Sequence, residues 1–87
     1  MNQDMWRCIK DAVRAVLPVE DEEITVDRDF KALGADSIDR LEIIHSLRRE
    51  LGIQQPTSAF VVLPNIGALA EFCEIHALRF PDPVGAS

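Results

Sequence analysis

The sequence predicts an all-α protein, a small four-helix bundle built from three main helices and a short third one. Apolar residues recur at helical spacing in three stretches, near residues 4–17, 36–51 and 66–78. Residues that start and stop helices stand at the edges of these stretches. The one stretch that could suit a strand, Ala59-Phe60-Val61-Val62-Leu63, has nothing to pair with. With 87 residues, 47% of them apolar, the chain has room for one domain and one core and too much hydrophobicity for disorder.

The first helix runs from about Asp4 to Leu17, with Trp6, Ile9, Val13, Val16 and Leu17 expected on its buried face. Pro18 ends it, because proline disfavours helical geometry at the residue before it. Val19 to Ala35 has no sustained helical period. So long a connection is unusual in a compact domain and points to function. Its isolated apolar residues, Ile24, Val26, Phe30 and Leu33, are expected to pin it to the core. Phe30 to Gly34 can form one turn closed by Gly34, which tolerates positive φ.

The second main helix starts near Asp36 or Ser37 and runs to about Leu51, where Gly52 stops it. Ile43, Ile44, Leu47 and Leu51 form its core stripe. Ile38, Leu41 and His45 lie on an adjoining face, which either meets a partner or joins one broad buried stripe. Pro56-Thr57-Ser58 opens a short helix or turn, cut off by Pro64. Asn65 is a good N-cap for the last helix, Ile66 to about Leu78, with Ile66, Leu69, Ala70, Cys73 and Ala77 along one stripe. The domain is expected to span residues 1–80, followed by a flexible tail over 81–87.

The net charge of −6 sits in one place. Residues 20–42 hold nine acids against three bases, so this segment carries the whole excess. Such a field repels nucleic acid and anionic membranes and steers basic protein partners, or it serves solubility alone. No apolar run approaches a membrane span, and the N-terminus lacks the pattern of a signal peptide, so a soluble cytoplasmic protein is expected. Cys8 and Cys73 lack metal-ligand spacing and read as reduced, packed thiols. No metal site is expected. His45 and His76 have no serine or carboxylate constellation around them, so no catalytic residue is assigned.

The chemistry lies in Gly34-Ala35-Asp36-Ser37-Ile38-Asp39-Arg40-Leu41-Glu42-Ile43-Ile44. This places a serine hydroxyl in the first turn of a helix, near unpaired backbone N–H groups and the positive end of the helix dipole. A phosphate attached there would be stabilised as anions are at helix N-termini. Asp-Ser before an apolar helical run is also ordinary capping. A complete capping box is not expected, because the third residue after Asp36 is Asp39, neither Glu nor Gln.

The segment resembles the signature of the acyl carrier protein family, Gly-x-Asp-Ser-Leu/Ile-Asp followed by an acid and two aliphatics. Gly34, Asp36, Ser37, Ile38, Asp39, Glu42, Ile43 and Ile44 match it. The resemblance implies a non-catalytic carrier. A phosphopantetheinyl transferase would attach 4'-phosphopantetheine from coenzyme A to Ser37, and the arm's thiol would hold acyl groups as thioesters. Asp36 would lie beside the attachment point. Ile38, Asp39, Leu41, Glu42 and His45 would face partners, with Arg40 interrupting the negative face. Arg48 and Arg49 stand where many fatty-acid carriers continue with acids.

Gly-Ala-Asp-Ser-Ile-Asp-Arg, with Pro-Asn-Ile-Gly-Ala-Leu-Ala-Glu-Phe further on, is similar to discrete carriers of polyketide β-branching cassettes. That likeness implies a monomeric donor carrier that receives a malonyl unit from an acyltransferase. A ketosynthase or decarboxylase would convert it to acetyl, for donation to an HMG-synthase-like enzyme. The alternatives are a carrier for fatty-acid, other polyketide or hybrid peptide biosynthesis, and an unmodified helical interaction module whose Ser37 is only a cap.

Overall fold

The computed structural model describes residues 3–79. Four α-helices follow in order: α1 (Gln3–Val16), α2 (Ser37–Leu51), α3 (Thr57–Phe60) and α4 (Ile66–His76), with one 3-10 turn at Asp21–Glu23 before α2. Helix α1 packs on α2 and α4, and the single turn of α3 packs on α2. This is the small all-α bundle expected. The tail expected over 81–87 lies outside the described residues.

Helix α1 buries Met5, Cys8, Ile9, Ala12 and Val13, a stripe at i, i+3, i+4, i+7 and i+8. This corrects the expected face by part of a turn. Trp6 and Val16 lie at its margin, partly buried. The expected Ile9 and Val13 are buried, and Met5, Cys8 and Ala12 join them on the seam. Trp6 spends its ring under the Lys10 ammonium, 5.8 Å from the centroid.

The expected starts of α2 and α4 and the stop of α2 hold, while α4 ends two residues short of the expected Leu78. Asn65 Oδ1 accepts the Ala68 N–H at 2.8 Å, and Gly52 takes the left-handed conformation, φ 64°, that closes α2. Ile43, Ile44, Leu47 and Leu51 are all buried. Helix α4 ends at His76, and the Leu78 and Arg79 N–H groups then both donate to Leu51 O, at 2.9 and 3.0 Å. The last described residues are thereby tied to the far end of α2.

The long loop is pinned in two ways. Ile24, Phe30 and Leu33 enter the core as expected, whereas Val26 leaves its side chain 51% exposed. Val26 anchors the loop through its backbone. Its carbonyl accepts the Gly67 N–H at 2.8 Å, and Arg28 O accepts the Ile66 N–H at 2.9 Å. Two of the first amides of α4, which have no partner within their own helix, thus hold the loop in place. The 30–34 segment is a turn closed by Gly34 at φ +87°. Among the described residues no helix is long and apolar enough to cross a membrane.

Candidate functional site

Ser37 is the first residue of α2 and is exposed. Asp36 precedes it in extended conformation, and its Oδ1 accepts the Asp39 N–H at 2.8 Å. Asp39 Oδ2 in turn accepts the Asp36 N–H at 3.4 Å. A capping box is therefore present, contrary to expectation. An aspartate at the third helical position can reach back as a glutamate does, one methylene short, and the return bond is correspondingly long. Asp39 is thus explained in part as a cap.

With the Asp39 N–H bonded to Asp36 Oδ1 and the Arg40 N–H to Asp36 O at 3.0 Å, the Ser37 and Ile38 amides remain at the open end of the helix. Among the described residues no side-chain hydrogen bond holds the Ser37 hydroxyl, which faces solvent. The residues present therefore fit a phosphodiester: an accessible oxygen, two free N–H donors and the positive end of a 15-residue helix.

Ile38 is 68% exposed and Leu41 38%. Glu42 and His45 are exposed beside them. The second face of α2 is therefore open to solvent and does not merge into one buried stripe. Further along, His45, Arg48 and Arg49 line an open cleft of about 280 Å³ with Ile53, so the acid-rich start of α2 gives way to a cationic end.

Arg40 does not share this outward face. Its Nη2 donates to Val61 O and Leu63 O, each at 3.0 Å, and its guanidinium carbon stands 4.9 Å from the centroid of Phe30. Its Nε is sealed from water without a partner. Arg40, expected among the docking residues, thus ties α2 to the loop and the α3–α4 connector. Nothing in the sequence shows where the Val61 and Leu63 carbonyls point. The only hint was a cation one turn after Ser37 within an acid-rich stretch.

Much of that acidity is spent locally. Asp21 pairs with Lys10 at 3.0 Å, Glu23 accepts the Glu20 N–H at 2.8 Å, and Asp29 accepts the Ala32 N–H at 2.6 Å. The Thr25 hydroxyl, 2.7 Å from Asp27 Oδ1, holds the Asp27 carboxyl below the usual carboxylate range. Glu42, on α2, is exposed and outside these bonds. Cys8 and Cys73 are buried free thiols, as expected. Among the described residues no cluster of His, Cys, Asp or Glu could hold a metal ion.

The phosphopantetheine attachment site family matches residues 8–73 of the chain, from α1 into α4. An acyl carrier protein of Azobacteroides pseudotrichonymphae is 34% identical over 79 residues, covering 88% of this chain and 92% of its own. One of Treponema denticola is 33% identical over 54 residues, 61% of this chain and 69% of its own. A non-reducing polyketide synthase of Aspergillus oryzae is 27% identical over 85 residues, 98% of this chain but only 4% of that much longer protein. The chain belongs to the acyl carrier protein family, whose members are carriers rather than catalysts and bear covalent 4'-phosphopantetheine.

Proposed function

We propose that Ser37 bears the phosphopantetheine arm and that the chain is a donor carrier for malonyl and acetyl units in polyketide β-branching. The observation that carries the attachment point is the exposed Ser37 hydroxyl, unheld by its own chain, at a helix end with two open amides. When bound, the arm supplies a thiol that carries acyl groups as thioesters. Loading forms a bond from Ser37 Oγ to phosphorus and breaks the diphosphate P–O bond of coenzyme A, so that adenosine 3',5'-bisphosphate leaves. The hydroxyl proton passes to a base of the transferase. The Ser37 and Ile38 amides then face the new phosphodiester.

Ile38, Leu41, Glu42 and His45 form the docking face for the transferase, an acyltransferase, a decarboxylating ketosynthase and an HMG-synthase-like enzyme. The pathway reading is supported by the Ile-Asp-Arg after Ser37 and by the cationic end of α2. A general fatty-acid carrier is the second reading, favoured by the likeness to bacterial acyl carrier proteins along most of their length.

Incubation with coenzyme A, magnesium and a broad-specificity phosphopantetheinyl transferase, read by intact mass, tests the attachment point. The native protein gains the arm and Ser37→Ala does not; no gain, or a gain that survives Ser37→Ala, overturns it. The pathway is tested by offering the acetyl-loaded protein to a β-branching synthase and to a fatty-acid condensing enzyme. Turnover by the second alone rejects the β-branching role.

A further inference from the structure

We propose that Arg40 is a latch that keeps an acyl chain tethered at Ser37 out of the helical core, so that the cargo stays in solvent. The inference rests on Ser37 as the attachment point. Arg40 follows Ser37 by one helical turn, where the seam between α2 and the α3–α4 connector begins. Its guanidinium crosses that seam and donates from Nη2 to Val61 O and Leu63 O, both at 3.0 Å. Phe30, brought in by the long loop and itself buried, lies 4.9 Å from the cation. One side chain therefore joins three segments one helical turn from Ser37.

The core these segments cover is closed to solvent. Phe60 is buried and meets Phe72 edge to face at a centroid distance of 4.8 Å. Ile44, Ile66 and Leu69 belong to the same core cluster and are also buried. For an acyl chain to enter here, the connector must part from α2. Parting removes two hydrogen bonds from a charged donor and the contact with Phe30. It must also make room in a core whose side chains are close-packed. A two- or three-carbon cargo buries too little apolar surface to offset those losses. The latch thus suits short polar acyl groups that must stay within reach of a partner's active site.

An octanoyl group is the probe, since it is long enough to profit from entering. It is loaded from octanoyl-coenzyme A with the broad-specificity transferase, and intact mass verifies one group on the native protein and none on Ser37→Ala. Failure at that stage overturns the attachment point, and with it the premise. On the loaded protein, methyl and aromatic NMR resonances are compared between holo and octanoyl forms. In the native protein Ile38 and Leu41 respond while Phe60, Ile66 and Leu69 do not. In Arg40→Ala the core resonances shift, and cleavage of the thioester by hydroxylamine slows about tenfold, the population change matching roughly one charged hydrogen bond.

Arg40→Lys keeps the charge but lacks the planar fork, and falls between the two. Core shifts in the native octanoyl form overturn the proposal by themselves, even where Arg40→Ala does not fold. A folded Arg40→Ala protein with an unchanged core and unchanged hydroxylamine rate overturns it equally.

Discussion

Replacing Gly67 with alanine tests how the long loop is held. An added Cβ would stand 2.7 Å from Val26 O and 3.1 Å from Val26 Cβ, where ordinary contact begins at 3.4 Å. The obstacle is backbone that already accepts the Gly67 N–H at 2.8 Å, so it cannot turn aside without breaking that bond. Moving the loop also strains the neighbouring bond from Ile66 N–H to Arg28 O. Overpacking of this kind costs about 1–3 kcal/mol, and each weakened hydrogen bond about 1 kcal/mol. The better helix propensity of alanine returns about 1 kcal/mol. The net loss is about 2–4 kcal/mol, which for a domain of this size lowers Tm by roughly 8–30 °C. Thermal melting by far-UV circular dichroism measures it, and faster amide exchange at residues 66 and 67 locates it. A melting temperature equal to or above the native one would refute the reasoning, because helix propensity would then have outweighed a contact that is slack in solution.

Two further outcomes follow from burial and exposure. Burial pushes the Cys8 thiol up to about 11, with the Glu50 carboxylate adding to the effect, and the Cys73 thiol up to about 12. In the unfolded chain both ionise near 9.0, so above that pH the unfolded state holds fewer protons than the folded one. Stability is therefore full below pH 9 and falls as pH rises towards 11–12, by up to about 1.4 kcal/mol per pH unit for each thiol. Urea denaturation across this range measures it, and Cys73→Ala flattens the slope; an equal slope in that variant contradicts the assignment. Ile38→Ala changes unfolding free energy by less than about 0.5 kcal/mol, as expected of an exposed site. It also raises the KM of partner enzymes for the loaded carrier by about 5- to 30-fold, the range for an apolar interface anchor. A destabilised protein with unchanged KM would place Ile38 in the fold and not on the docking face.

Helices α2 and α4 were readable because their boundaries rest on single residues with strong local preferences, Asp36, Gly52 and Asn65, around a regular apolar stripe. The face of α1 was harder. Ile9, Val13 and Leu17 are buried as their hydrophobicity suggests, yet Met5, Cys8 and Ala12 complete the seam while Trp6 sits at its edge. In the loop, Ile24, Phe30 and Leu33 behave as hydrophobes should, while Val26 contributes a carbonyl. Every residue carries that group, so side-chain chemistry cannot reveal it. The family was legible because its motif, Gly34 to Ile44, is local and contiguous. The inward commitment of Arg40 was not, since its acceptors lie 21 and 23 residues away and are backbone atoms. Gly67 gave no signal either, because its importance lies in the approach of a distant strand of loop.

The two long helices that begin after polar caps use their N-termini in opposite ways, and the contrast bears on where an anion can be attached. At α4 the first three amides are all taken: Ile66 by Arg28 O, Gly67 by Val26 O and Ala68 by Asn65 Oδ1. Nothing is left there for a phosphate while the loop lies this close to Gly67. At α2 the capping box accounts for Asp39 and the backbone of Asp36 for Arg40, but the Ser37 and Ile38 amides stay open beside an exposed hydroxyl. The loop that seals one terminus leads directly into the other. Its pins at Val26 and Arg28, the buried Phe30 and Leu33, and the turn at Gly34 deliver Asp36 and Ser37 to the surface in fixed orientation. The length of the connection therefore has a physical reason. A short link from α1 could start α2, but it could not both close the end of α4 and present the start of α2 uncovered.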